Sequence, residues 1–310
     1  MRIGIDLGGT KIEIVALNDK IIYRKRIATP QNNYNATVSA ITDLVRHTEK
    51  HLGESATIGI GIPGAISSKT LRVKNANSTC LIGQPLQQDL EHILERPIRL
   101  SNDANCFALS EAIDGAGQGH CVVFGVILGT GVGGAIVVNQ QVLNGSNSIA
   151  GEWGHNPLPY PSNEELPGSQ CYCKKYGCIE SYLSGPGSTA HYNIEVSSAN
   201  ELNRPSELLA LATTPDLIWQ RAEQGCTLSQ AYCHLYIDRL ARSLSGVINV
   251  LDPDIIVLGG GLSNINRLYD ELPKVWGQYI FSDTVNTKLA KAIHGDSSGV
   301  RGAAWLWPTT

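Results

Sequence analysis

Between Gly151 and Glu180 the chain reads GEWGHNPLPYPSNEELPGSQCYCKKYGCIE, a stretch dense in groups that bind metals and protons. His155 shares a glycine-framed turn with Glu152. A proline-rich loop follows, and Cys171, Cys173 and Cys178 arrive together, with Glu180 two positions beyond the last thiol. Three thiolates and one imidazole form a complete tetrahedral Cys3His set for zinc. The first pair is spaced C-x-C, tighter than the usual C-x2-4-C of structural zinc sites. The alternative is a group of unrelated thiols beside a surface histidine. Clustering favours the metal, because free cysteines have no packing reason to crowd a polar, glycine-containing loop. A metal there would pin a segment with little apolar material and hold Glu152, His155 and Glu180 near one another.

A second kind of chemistry lies in glycine turns at strand ends. Asp6 closes the run RIGIDL, and Gly8-Gly9-Thr10-Lys11 turns the chain into a second strand. Glycines there allow backbone N–H groups to approach an anion, and Thr10 and Lys11 add donors. Alone the turn is a weak signal, since β-hairpins often carry such glycines. The layout recurs in VVFGVILGTGVGGAIVV (122–138), where Gly129-Thr130-Gly131 occupies the turn, and a third turn with Gly260 and Gly261 ends IIVLGGG (255–261). Between these lies Ser101-Asn102-Asp103, delivered by a strand at 97–100 to the start of a helix. Strand ends of α/β folds are where sites are built. Asp103 reads equally well as a helix N-cap.

The elements that must position these groups are those of an ordinary globular chain. It has 310 residues, 42% apolar and 17% charged, with net charge -4. That balance, without a Lys/Arg run, argues against nucleic acid or membrane surfaces as partners. No apolar stretch reaches the ~20 residues of a membrane span. The chain enters a strand pattern at its first residues, so neither a signal peptide nor a DNA-binding module is expected ahead of it. Its eight cysteines read as reduced thiols and the cytoplasm as the compartment. Apolar spacing predicts a helix over 36–52, a short one from Pro85 to about Leu94 and a long one from about Ser229 to Val250; 186–232 is mostly helical, with breaks at Pro205 and Pro215. The repeated strand-turn-strand start indicates a duplicated domain, with a boundary in DGAGQGH and halves 1–117 and 118–310.

The motifs DLGGTK (6–11), SNDAN (101–105), LGTGVGG (128–134), GEWGHN (151–156), CYCKKYGCIE (171–180) and LGGG (258–261) together resemble the ROK sugar kinases, in that family's order and over nearly the whole chain. The resemblance implies α/β architecture of duplicated actin-like ATPase (ribonuclease H-like) domains with a central ligand cleft, the C-terminal helix being free to return to the first domain. It implies Asp103 as the base that takes a proton from a sugar hydroxyl, with Gly64, Asn77, Asn102, Glu152, His155 and Glu180 around the sugar. Gly8, Gly9, Thr10, Lys11, Gly129, Thr130 and Gly131 would hold ATP phosphates, Gly260 and Gly261 would lie by the adenosine, and Asp6 would place Mg2+. His155, Cys171, Cys173 and Cys178 would hold structural zinc. A homodimer is the implied assembly.

Within the family, VKNANST (73–79), GEWGHNPLP and HGDSSGVRGAAWLW resemble bacterial fructokinases that also accept mannose. Asn75, Asn77, Ser78 and Thr79 are read as a polar cleft wall that suits a bare hydroxyl and disfavours an acetyl methyl. The expectation is therefore phosphorylation of D-fructose at its 6-hydroxyl, with mannose second. The alternatives are an N-acetylglucosamine kinase, a glucokinase and, further off, a non-catalytic sugar sensor.

Overall fold

The computed structural model describes residues 1–76, 78–201 and 210–308; Asn77 and the expected helix break at Pro205 lie outside them. The chain opens with β1 (Arg2–Leu7), β2 (Lys11–Leu17) and β3 (Ile21–Ala28), then α1 (Tyr34–Leu52). Asn33 caps α1 by accepting from the Ala36 N–H at 3.0 Å, and Gly53 ends it in the left-handed region. Its apolar stripe, Val38, Ile41, Leu44 and Val45, is buried. β4 (Thr57–Ile62), the hairpin β5 (Ala65–Ile66) and β6 (Val73–Lys74), α2 (Leu86–Leu94), β7 (Ile98–Asn102) and α3 (Asp103–Asp114) follow. The first sheet is ordered β3-β2-β1-β4-β7. β1 and β2 are antiparallel, while β1, β4 and β7 run parallel. Parallel strands are covered on both faces, which is why TIGIGI reads as a continuous apolar run, whereas the edge strand β3 alternates.

The second sheet comprises β8 (Val122–Leu128), β9 (Val132–Val138), β10 (Gln141–Val142), β11 (Ile255–Gly259) and β12 (Lys288–Lys291), ordered β10-β9-β8-β11-β12. Its order reproduces that of the first sheet, with β8 in the place of β1 and β9 in the place of β2, so the repeat seen in the sequence is a repeat of sheet topology. The connection to β11 carries α4 (Ile179–Leu183), α5 (Gly185–Glu201), α6 (Pro215–Glu223) and α7 (Thr227–Leu251), and that to β12 carries α8 (Arg267–Val275). Glu165 ties the loop before α4 to α7 through Arg239 at 2.7 Å and Arg242 at 2.9 Å. Burial works to raise this carboxyl, but the hydrogen bonds from Arg242 and Arg239 outweigh it and hold Glu165 at about 2.

Packing groups the chain into two compact units. One contains Met1–Gly125, Ala135–Gly151 and Ala292–Thr310; the other contains Val126–Gly134 and Glu152–Lys291. The strands β8 and β9 thus pass from one unit into the other. We propose 117/118 as the boundary of the repeat, since repetition and packing divide a chain by different criteria.

The last helix, α9 (Ser298–Ala304), belongs to the first unit and packs on β1, β4 and α3. Close approach depends on glycine. A methyl group on Gly59 would lie 1.8 Å from the Ala303 carbonyl oxygen, and one on Gly302 would lie 1.6 Å from that of Cys106. Glu111 of α3, fully buried, accepts from Ser298 Oγ at 2.9 Å and from the Ile293 N–H at 3.1 Å, which ties α9 to the helix that starts at Asp103.

Candidate functional site

In the first unit the β1–β2 turn is closed by Gly8 N–H donating to Lys11 O at 3.0 Å. Thr29 Oγ1 donates to the Gly8 carbonyl and Gln31 Nε2 to the Gly9 carbonyl, each at 2.8 Å. A peptide's C=O and the N–H of the same peptide point in opposite directions, so these bonds turn the N–H groups of Gly9 and Thr10 away from β3. Thr29 and Gln31 escaped the sequence reading because nothing in their types marks them as partners of a turn some twenty residues earlier.

β7 ends at Asn102, whose Oδ1 accepts from the Ala104 N–H at 2.8 Å and whose Nδ2 donates to the Gly64 carbonyl at 3.0 Å. Asn102 is therefore the cap of α3, and it also holds Gly64. At Gly64 φ is +95°, and a side chain would meet the Lys74 carbonyl at 2.5 Å. Asp103 occupies the first helical position and shares the Ala104 N–H at 2.8 Å. Burial raises its pKa above the ordinary value, with the Ala104 N–H and the Asn102 side chain opposing that rise. A carboxylate that is desolvated yet ionisable is the state required of a base.

Asp6 is its electrostatic neighbour. Burial, then repulsion from the carboxylates of Asp103 and Glu13, pushes the Asp6 carboxyl from 3.8 up to about 6. Glu13 is itself buried and neutralised by Arg24 and by Arg26 at 2.7 Å. Because the folded state holds the Asp6 proton more tightly than the unfolded state, ionisation opposes folding. The full penalty, on the order of 3 kcal/mol, applies above pH 6 and disappears as pH falls through 6 toward 3.8. Asp6→Asn should therefore raise the melting temperature at pH 8 and raise it less at pH 5. Equal shifts at both pH values in thermal scans would contradict this.

Ser78 and Thr79 line a recess of about 160 Å3 together with Gly9, Thr29 and Gln31. They thus face the first glycine turn from within their own unit. Asn75 sits at a turn with φ +54°, and Asn77 lies outside the described residues.

In the second unit His155, Cys171, Cys173 and Cys178 come together with all four ligand atoms within 4.8 Å of one another. His155 Nδ1 is 3.6 Å from Cys171 Sγ, and Cys173 Sγ is 3.5 Å from Cys178 Sγ. A tetrahedron with Zn–S bonds of about 2.3 Å has sulfur–sulfur edges of roughly 3.8 Å, so the spacing fits one zinc ion at the centre. The tight C-x-C pair is accommodated by a turn in which Cys171 N–H donates to Lys175 O and Lys174 N–H to Cys171 O, both at 2.8 Å, with Lys174 at φ +70°. The expectation that His155 lies by the sugar as well as on the metal meets a specific finding. Nε2 lies 2.9 Å from the hydroxyl of Tyr172, an exposed residue that the sequence reading passed over.

Glu180 accepts from the Val132 N–H at 2.9 Å through Oε2. Glu152 is exposed, and among the described residues its carboxylate forms no hydrogen bond. Gly129 N–H donates to Gly131 O at 3.0 Å, closing the second glycine turn over one residue fewer than the Gly8–Lys11 bond closes the first. Gly260, at φ +82°, lies where a side chain would meet the Leu128 carbonyl at 2.4 Å, which brings the third glycine turn against the second. Each unit thus carries carboxylates and at least one glycine turn with outward N–H groups, the equipment for reading hydroxyls and phosphates.

A family model described as the ROK family matches residues 2–310. The chain is 38% identical over 315 residues to an N-acetyl-D-glucosamine kinase of Yersinia enterocolitica, and 39% identical over 315 residues to one of Vibrio parahaemolyticus, with 99% of each chain covered in both cases. Among solved structures it is similar to the ROK hexokinase of Thermus thermophilus, with TM-score 0.81 and 25% identity over 98% of this chain and 97% of that one. It is also similar to a ROK family glucokinase of Streptomyces griseus in complex with glucose and AMPPNP, with TM-score 0.71 and 27% identity over the same shares. The fold is accordingly the duplicated actin-like α/β fold anticipated from the motifs.

Proposed function

This chain belongs to the ROK family, and on that premise we propose that it transfers the γ-phosphoryl group of ATP to the primary hydroxyl of N-acetyl-D-glucosamine. The carrying observation is identity of 38–39% over 99% of the chain to enzymes with that activity. The relatives favour the N-acetylglucosamine alternative over the fructose expectation. Of the residues read as a polar wall, Asn75, Asn77, Ser78 and Thr79, the hydroxyl-bearing Ser78 and Thr79 line the recess beside Gly9.

In this proposal Asp103 accepts the proton of the attacking hydroxyl, and its burial keeps it basic. Asn102 holds Gly64 and caps α3, which sets the direction of the Asp103 side chain. Glu152, Glu180 and, once its Nε2 leaves the Tyr172 hydroxyl, His155 read sugar hydroxyls. The turns at Gly8–Lys11 and Gly129–Gly131 receive phosphate oxygens on backbone N–H groups, with Gly260 and Gly261 near the adenosine. Asp6 would place Mg2+, which would supply charge neutralisation on the phosphates. His155, Cys171, Cys173 and Cys178 would hold zinc as structural support. A cytoplasmic homodimer completes the proposal.

Initial rates with N-acetylglucosamine, fructose, mannose and glucose at equal concentrations test it. The expected order puts N-acetylglucosamine first, with kcat/KM about tenfold or more above fructose. A larger specificity constant for fructose would reverse the substrate assignment while leaving hexose phosphorylation in place.

A further inference from the structure

The second glycine turn is held by the loop that carries the metal ligands. Four bonds converge on residues 129–133. Gly129 N–H donates to Gly131 O at 3.0 Å, and Gly185 N–H donates to Gly129 O at 2.7 Å. Glu180 Oε2 accepts from Val132 N–H at 2.9 Å, and Trp153 Nε1 donates to Gly133 O at 2.9 Å. Steric fit reinforces them. A methyl group on Gly131 would sit 2.7 Å from Glu180 Oε2, and one on Gly154 would sit 2.1 Å from Val132 O.

Planar peptides convert these anchors into directions. With the Gly129 carbonyl turned to Gly185, the N–H of Thr130 must point to the other side. With the Val132 N–H turned to Glu180, the Gly131 carbonyl points back to Gly129. The Gly133–Gly134 peptide is set by the buried indole of Trp153. Trp153 lies between Glu152 and His155, and Glu180 follows Cys178 by two residues, so both anchors stand next to metal ligands.

We infer that Trp153 and Glu180 are positioning residues for the phosphate-binding turn at 129–133, so that the metal-binding loop sets affinity for the phosphate chain of an adenine nucleotide. The inference rests on the kinase assignment proposed above. It adds a nucleotide-side role to a loop otherwise assigned to the sugar and the metal.

The probe is ADP, titrated calorimetrically into the metal-loaded full chain, with N-acetylglucosamine titrated separately. Trp153→Phe keeps an aromatic ring but removes the N–H donor. Its Kd for ADP should rise about five- to tenfold, the worth of one buried hydrogen bond, while metal content stays at the parent value and the sugar Kd moves by less than about twofold. An unchanged Kd for ADP overturns the inference, as does an equal weakening of ADP and sugar, which would mean general loosening. If Trp153→Phe loses metal, the pair Glu180→Ala and Glu180→Gln decides. The glutamine carbonyl can still accept from Val132 N–H, so weaker ADP binding in the alanine variant alone supports the inference, and identical ADP affinities overturn it. A parent chain that binds no ADP overturns the kinase assignment itself, an outcome visible before any variant is made.

Discussion

Asp103→Asn should lower turnover by a factor on the order of 10²–10⁴ while the protein stays folded. Asparagine is nearly isosteric and its side-chain carbonyl can still accept from Ala104 N–H, the bond that Asp103 makes at 2.8 Å. Helix capping is not at stake either, because Asn102 caps α3. What is lost is a group able to take a proton. The pH profile gives a second readout. Burial raises the Asp103 pKa, so the acidic limb of kcat/KM should lie above the ordinary aspartate range. That limb should be absent from whatever activity the variant retains. A variant with normal turnover per folded molecule would show that the base lies elsewhere.

Replacing Cys178 with serine should empty the metal site and remove activity together. A hydroxyl is a far weaker zinc ligand than a thiolate, and loss of one of four ligands lets the remaining three separate. The backbone around Cys178 transmits the change, since Leu158 N–H donates to Gly177 O at 2.9 Å and Ile179 N–H donates to Asn156 O at 2.9 Å. Glu180 lies in the first turn of the helix that Cys178 caps, so its bond to Val132 should loosen as well. Metal analysis of the parent should find about one zinc per chain, and the variant should hold little, with turnover down about 10²-fold. Full metal content with full activity in Cys178→Ser would refute the metal assignment.

Much of this chemistry is encoded locally. His155, Cys171, Cys173 and Cys178 lie within one short stretch, so their spacing alone could announce a tetrahedral set, and the side chains do converge. Asp103 announced itself by standing where a strand becomes a helix. The repeated strand-turn-strand starts predicted a repeated sheet order because a hairpin's register is set by its own turn and alternation. Such features depend on residues near in sequence, where the covalent chain restricts the geometry.

Side-chain direction and long-range pairing were another matter. Ser78 and Thr79 were read as a cleft wall from their side-chain types, and that they line a recess with Gly9, Thr29 and Gln31 was not legible in the sequence. His155 looked free at its second nitrogen, yet the C-x-C turn brings Tyr172 to it. Glu180 and Trp153 meet the glycine turn across 48 and 20 residues, and Glu111 meets Ser298 across 187. Composition and periodicity cannot foresee such meetings, because a carboxylate or indole finds its partner only after packed sheets and helices have fixed where each backbone group points. By itself the sequence determined the family of folds and pointed to the candidate metal set and the candidate base; tertiary structure alone decided which polar groups are spent on holding the turns, since that division depends on the relative placement of distant strands.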